Sequence, residues 1–308
     1  MNGFLNSLRL GMAGDKLHLI GYASGAAGAN PHCGEGPLVI QQSSFLSALT
    51  NAGMAIQWEA MIHPAVLSTS VLRIDEIVQQ LCEALAKKVS VLVSQKQFLV
   101  VIGGDHTCAI GTWSGVYDAV HQEGDIGLIW IDAHMDSHTP ETSESGRLHG
   151  MPLASLMGYG YPTLTSILHY GPKLKPENIC LIGVRSFERG EAELLKRLNV
   201  RVYLMEEIKE RGLSIVIQEA ADRIRSQTVA YGLSLDLDSI DPKEAPGVGV
   251  PEPDGIHGGD LLSSLSSLVA DPKLAAMEIV EFDPERDRDQ ITEKLIIRFL
   301  EMLVKAKK

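Results

Sequence analysis

Short apolar runs alternate along this chain with longer stretches of helical period. The runs are LHLIGYA from Leu17, WEAMI from Trp58, FLVVIGG from Phe98, IGLIWID from Ile126, ICLIGV from Ile179, VRVYLM from Val200, VAYGLSLDLD from Val229 and AMEIVEFD from Ala276. WEAMI is the weakest of them. Between them lie amphipathic segments such as IDEIVQQLCEALAKKVSVLVSQ from Ile74, LSIVIQEAADRIRSQ from Leu213 and QITEKLIIRFLEMLVKAKK from Gln290. Near-continuous apolar strands alternating with helices predict an α/β fold, with a parallel sheet covered on both faces. About eight strands fit one domain over residues 1–308.

The polar residues that follow these runs carry the chemistry. In open parallel sheets the site lies beyond the carboxyl ends of the strands. FLVVIGG leads into Asp105 and His106, and IGLIWI into Asp132, His134 and Asp136. AYGLSL leads into Asp236 and Asp238, and AMEIV into Glu281 and Asp283. Side chains at i and i+2 of an extended segment share a face, so Asp132, His134 and Asp136 are expected to project together, as are Asp236 and Asp238. Gly103 and Gly104 are expected to let the chain turn sharply before Asp105. Asp105 and Asp283 also suit turn-forming or capping roles. His18, His63, His121, His169 and His257 read as ordinary core or surface residues. The aspartate cluster does not reduce to such roles. Asp132, Asp136, Asp236 and Asp238 together carry a formal charge that two divalent cations would cancel, and His106 and His134 complete a mixed N/O ligand set.

Composition narrows the partners. A net charge of −12 and a pI near 5.3 argue against nucleic acid or an anionic membrane. The four cysteines (Cys33, Cys82, Cys108 and Cys180) form no C-x-x-C pair and read as reduced and mostly buried. The N-terminus lacks the apolar core of a signal peptide, and no run is long enough to span a bilayer, so a cytoplasmic protein is expected. GYASGAAGAN after the first run is out of pattern for a dinucleotide fingerprint.

In order and spacing, the chain resembles the ureohydrolases, the arginase and agmatinase family. The matching stretches are GGDHT (103–107), DAHMD (132–136), SGRLHG (145–150), SLDLDSIDP (234–242) and EIVEFDP (278–284), with GEGP (34–37) and PGVGVPEPDG (246–255) in support. The resemblance implies a three-layer α/β/α domain and two Mn²⁺ per chain. One ion would be bound by His106, Asp132, Asp136 and Asp236, the other by Asp132, His134, Asp236 and Asp238, with Asp132 and Asp236 bridging. A hydroxide between the cations would attack a guanidinium carbon. Asp136 would carry its proton to the leaving amine, Glu281 would pair with the guanidinium, and His149 would shuttle protons. A homo-oligomer, trimer or hexamer, is also implied.

What holds the far end of the substrate decides among family members. The loop SHTPETSESGRL (137–148) has arginase-like length, and by resemblance it binds the α-carboxylate. Ser143 and Ser145 fall at its hydroxyl donors, and Glu188 and Glu191 where the α-amino group is received. The chain departs from the arginase pattern at His138 and Arg147, where Asn is usual, at Glu188, where Asp is usual, and at Val250, where many members carry Thr. His138 and Arg147 remain able to meet a carboxylate. The implied activity is hydrolysis of L-arginine to L-ornithine and urea. The alternatives are an agmatinase, guanidinobutyrase or formimidoylglutamase, or a metal-binding scaffold without turnover.

Overall fold

The computed structural model describes residues 16–64 and 72–306; the leader-free reading of the N-terminus concerns residues 1–15, outside that range. Among the described residues the strands are β1 (Leu17–Tyr22), β2 (Ile56–Ile62), β3 (Leu99–Gly103) and β4 (Ile126–Ile131), then β5 (Ile179–Val184), β6 (Arg201–Leu204), β7 (Ala230–Asp236) and β8 (Leu274–Val280). They form one sheet in the order β2-β1-β3-β8-β7-β4-β5-β6, with every neighbouring pair parallel. Each of the eight apolar runs has become a strand. The six inner strands are buried at every residue, whereas the edge strands β2 and β6 are partly exposed. Two-sided burial is why the inner runs are continuous rather than alternating.

Two apolar cores, one per face, make three layers. Helices Leu213–Arg225, Gly258–Val269 and Ile291–Ala306 cover one face. Helices Ile74–Ser94, Cys108–Val120 and Pro152–Leu156 cover the other. The helix Ile74–Ser94 shows how the sequence dictates this. Ile77, Val78, Leu81, Cys82, Leu85, Ala86, Val89, Leu92 and Val93 recur at helical spacing and are buried, while the Glu76 side chain accepts from the Arg73 N–H at its start. Truncating a core member such as Leu85 to Ala would cost about 2–5 kcal/mol. No helix among the described residues is long and apolar enough to cross a membrane.

Register positions the site. Ile102 of β3, Ile279 of β8, Leu235 of β7 and Ile131 of β4 are level across four adjacent strands. The residues just beyond them therefore emerge at one height in the middle of the sheet. The glycines before Asp105 act differently from the expectation. Neither has positive φ; a Cβ on Gly104 would lie 2.1 Å from the Ser24 carbonyl oxygen and one on Gly103 would lie 2.5 Å from Cys108 Sγ, so close packing, not turn geometry, demands them.

Candidate metal centre

The acids and histidines released by β3, β4 and β7 converge in two groups. Ligand-capable atoms of His106, Asp132, Asp136 and Asp236 lie within 4.8 Å of one another, and so do those of Asp132, His134 and Asp238. Asp132 belongs to both groups, Asp236 to the first alone. The expected period-2 face does not persist past the strand. β4 ends at Ile131, and the Asp132 carboxylate turns back to accept from the His134 N–H at 2.6 Å. Asp136 then takes φ +46°, so His134 and Asp136 part into different groups. In the same way the Asp236 carboxylate accepts from the Asp238 N–H at 3.0 Å, starting the single turn Leu237–Ser239.

His106 is fixed from behind. Its Nε2–H donates to Ser234 Oγ at 2.9 Å, and Ser234 donates to Glu278 Oε1 at 2.7 Å. Trp113 Nε1 donates to the same Glu278 oxygen at 2.7 Å. In the neutral ring, with Nε2 protonated, Nδ1 keeps its lone pair; burial favours that form, while Asp132, Asp136 and Asp236 draw a proton to Nδ1 and raise His106 well above its ordinary pKa. That buried nitrogen has no hydrogen-bond partner, yet carboxylate oxygens of Asp132, Asp136 and Asp236 stand 3.0–3.4 Å from it. The imidazole also stacks on Trp130, with centroids 4.1 Å apart, and Trp130 donates to Asp132 Oδ2 at 2.8 Å. A lone pair and several anionic oxygens aimed at one another are what a cation resolves. This oxygen-rich set with one imidazole per group fits two divalent metals.

Electrostatics point the same way. Burial, then the charge of Asp132, pushes Asp136 up to about 7. Burial, with Asp238 and Asp132, raises Asp236 well above the carboxylate range. Burial works against ionisation of Asp132 too, but the neighbouring His106 and His134 imidazoles hold it far below that range. Bare acids this close must share protons; bound cations would take the protons' place.

Glu281 stands beside this cluster, also with positive φ (+64°). Hydrogen bonds from its N–H to the Gly104 carbonyl and from the Gly249 N–H to its own carbonyl, 2.8 and 3.2 Å, hold that conformation. Its Oε1 accepts from the His106 N–H at 3.0 Å and pairs with His149 Nδ1 at 3.1 Å. Burial opposes its charge, but the His149 contact keeps Glu281 below its ordinary pKa. Oε2 is buried and unpartnered. Gly249 leaves space in front of it: a Cβ there would come within 2.6 Å of Oε2. For His149, desolvation is outweighed by the bond to Glu281, which lifts the imidazole to about 9.

A cleft of about 220 Å³ joins these residues to the surface. Its walls include His134, Asp136, Asp236, Asp238 and Glu281 at depth, and Ser143, Ser145, Arg147, Glu188 and Val250 towards the mouth. Ser145 and Arg147 are exposed, and the Ser143 and Ser145 hydroxyls are tied locally: Ser143 Oγ accepts from the Gly146 N–H, Ser145 Oγ from the Arg147 N–H. His138 lines the cleft too but is already engaged. Its Nε2 is 2.7 Å from Glu188 and 3.4 Å from Glu191, and its Nδ1 is 3.1 Å from Thr142 Oγ1. Its ring nitrogens are directed at the two acids and at Thr142 rather than left free for a substrate carboxylate.

Three of the histidines read as ordinary make ion-pair contacts away from the cleft. His18 pairs with Glu59, His169 with Asp118 and His257 with Glu244. Asp105 accepts from the Thr107 N–H and Asp283 from the Glu285 N–H, both as turn formers. All four cysteines are free and buried. Sequence reasoning did not assign Glu278, Ser234 or Trp130. Glu278 had left a signal: it is a carboxylate inside a wholly buried strand.

The known proteins that this chain is similar to include arginases. The arginase family model matches residues 16–305. An arginase from Brevibacillus brevis is 38% identical over 270 residues, covering 86% of this chain and 89% of that one. The crystal structure of an arginase from Bacillus subtilis superposes with a TM-score of 0.84 at 34% identity, over 94% of this chain and 98% of that one. An Entamoeba histolytica arginase in complex with L-ornithine gives 0.84 at 29% identity, with the same coverage.

Proposed function

The chain belongs to the arginase family, and from that premise we propose that it hydrolyses L-arginine to L-ornithine and urea with two Mn²⁺ per chain. The observation that carries the reading is the cleft: a carboxylate cluster at its floor, an unpartnered buried acceptor on its wall, and hydroxyls and a cation at its mouth. His106, Asp132, Asp136 and Asp236 would hold one cation. Asp132, His134 and Asp238 would hold the other. When bound, the cations lower the pKa of water and so supply a nucleophile near neutral pH.

The remaining work belongs to the protein's own groups. Glu281 Oε2 accepts N–H bonds from the substrate guanidinium and holds its carbon over the cluster. Water oxygen adds to that carbon, and the bond from the carbon to the side-chain nitrogen breaks. Asp136 takes the proton that water gives up and returns it to the departing amine. His149, protonated below about pH 9, exchanges protons between Glu281's surroundings and the cleft mouth. Ser143, Ser145 and Arg147 meet the α-carboxylate. Glu188 and Glu191 meet the α-ammonium, with His138 between them setting their positions.

The test is a urea-release panel of arginine, agmatine, guanidinobutyrate and formimidoylglutamate with added Mn²⁺. Arginine is the expected best substrate. A better rate with agmatine would remove the arginase activity and leave a ureohydrolase; no urea from any of them would leave a metal-binding scaffold. We further propose a cytoplasmic trimer or hexamer built of one domain per chain, which light scattering checks for the assembly.

A further inference from the structure

We propose that Glu252 is the positioning residue for His134, supplying from a separate loop the carboxylate that orients this imidazole towards the second cation; this rests on the metal-centre reading above. His134 presents Nδ1 to the cluster, 3.1 Å from Asp238 and 3.5 Å from Asp132. That leaves Nε2 as the outward nitrogen, and Glu252 Oε1 stands 3.5 Å from it. A ligating histidine characteristically gives its other N–H to a carboxylate, which fixes the tautomer, orients the ring and raises its basicity. His106 obtains the equivalent support from Ser234 and Glu278; His134 has no such relay in the sheet.

Glu252 is built to stay where it is. Ser186 Oγ donates to the same Oε1 at 3.0 Å. Arg185 pins the backbone beneath: its Nη2 donates to the Glu252 carbonyl at 2.8 Å and to the Asp238 carbonyl at 2.7 Å, and its Nε donates to the Pro253 carbonyl at 2.8 Å. One guanidinium thus ties the loop that carries Glu252 to a residue of the cluster. The Glu252 Oε1 oxygen thus lies between the Ser186 hydroxyl and the His134 imidazole.

The experiment is Mn²⁺ titration of chelator-treated protein by calorimetry, with KM and kcat measured alongside. Glu252→Gln keeps size and polarity but removes the charge. It is expected to weaken the second Mn²⁺ by ~10–100-fold, the usual range for such partners, leaving the first Mn²⁺, KM for arginine at saturating metal, and the melting temperature of the metal-free protein unchanged. Because Ser186 Oγ already touches the same oxygen, Ser186→Asp in the Glu252→Gln background is expected to restore most of the second-site affinity. Loss of both metals, or a lowered melting temperature without rescue, overturns the proposal in favour of a structural role. A Glu252→Gln protein that binds two Mn²⁺ like the unmodified one overturns it alone. An unmodified protein that binds fewer than two overturns the metal centre and this proposal together.

Discussion

The floor of the cleft and its mouth are built on opposite principles. At the floor the key side chains are held by bonds, several of them reaching across the sheet. Asp132 accepts from Trp130 and the His134 backbone, His106 is locked through Ser234 to Glu278, and Glu281 is fixed by backbone and side-chain bonds in a conformation few glutamates adopt. These groups ride on four neighbouring strands in register. At the mouth, the Ser143 and Ser145 hydroxyls make only local bonds within their loop, and Arg147 is exposed. Reaction chemistry needs sub-ångström placement, and a sheet centre supplies it. Substrate choice needs only a few donors at the right distance, and a loop can change them without disturbing the core.

The sharpest way to break this contrast is at the floor. Asp132→Ala or Asp236→Ala is expected to cost roughly 10³-fold or more in kcat/KM and to lose bound Mn²⁺. Dialysis against a chelator should do the same to the unmodified protein, reversibly. Full turnover without metal would end the binuclear reading.

Glu281→Gln tests the wall of the floor. It should retain two Mn²⁺ per chain by elemental analysis and lose ~10²–10³-fold in activity, because a buried guanidinium loses its counter-ion. Loss of metal instead would mean that Glu281 is a ligand and not a substrate anchor.

His149 lies between the two regions and sharpens the boundary. Its pKa is raised, so the His149–Glu281 interaction is complete below the ordinary imidazole pKa and disappears as pH rises through about 9. The kcat profile should fall on the alkaline side with an apparent pKa near 9. His149→Asn should lower kcat ~10²-fold and abolish that limb; an unchanged profile would assign the limb to another group.

The mouth carries the smallest change per residue. Arginine should be favoured over agmatine by ~100-fold in kcat/KM, since donors built for a carboxylate are left unpaired without it. Ser145→Ala should narrow that ratio several-fold, mainly by slowing arginine. Equal harm to both substrates would show that the loop does not read the carboxylate.

The same division explains what the sequence made legible. The inner strands are buried on both faces, so their apolar runs stand out; β2 is an edge, and WEAMI read weakly for that reason. The acids of the cluster were visible because each follows directly on such a run. Their grouping came from the family resemblance and not from the alternation, because it depends on where the ladder stops and on the left-handed backbone at Asp136. The engagement of His138 with Glu188 and Glu191 was not visible, because it brings together residues some fifty positions apart. Glu252 gave no signal at all: a glutamate in a proline-rich loop acquires meaning only when the loop folds over His134.

The strand order has a consequence for how the protein is made. β3 and β4 leave the ribosome early, but in the finished sheet β7 and β8 lie between them. At the usual strand spacing of ~4.8 Å, the final places of β3 and β4 are about 14 Å apart until those late strands arrive. A nascent chain that has reached Val200 carries His106, Asp132, His134 and Asp136 but has nothing to bring them together. The centre is therefore completed only when nearly the whole chain has been translated, and fragments released early carry neither its metal affinity nor its chemistry.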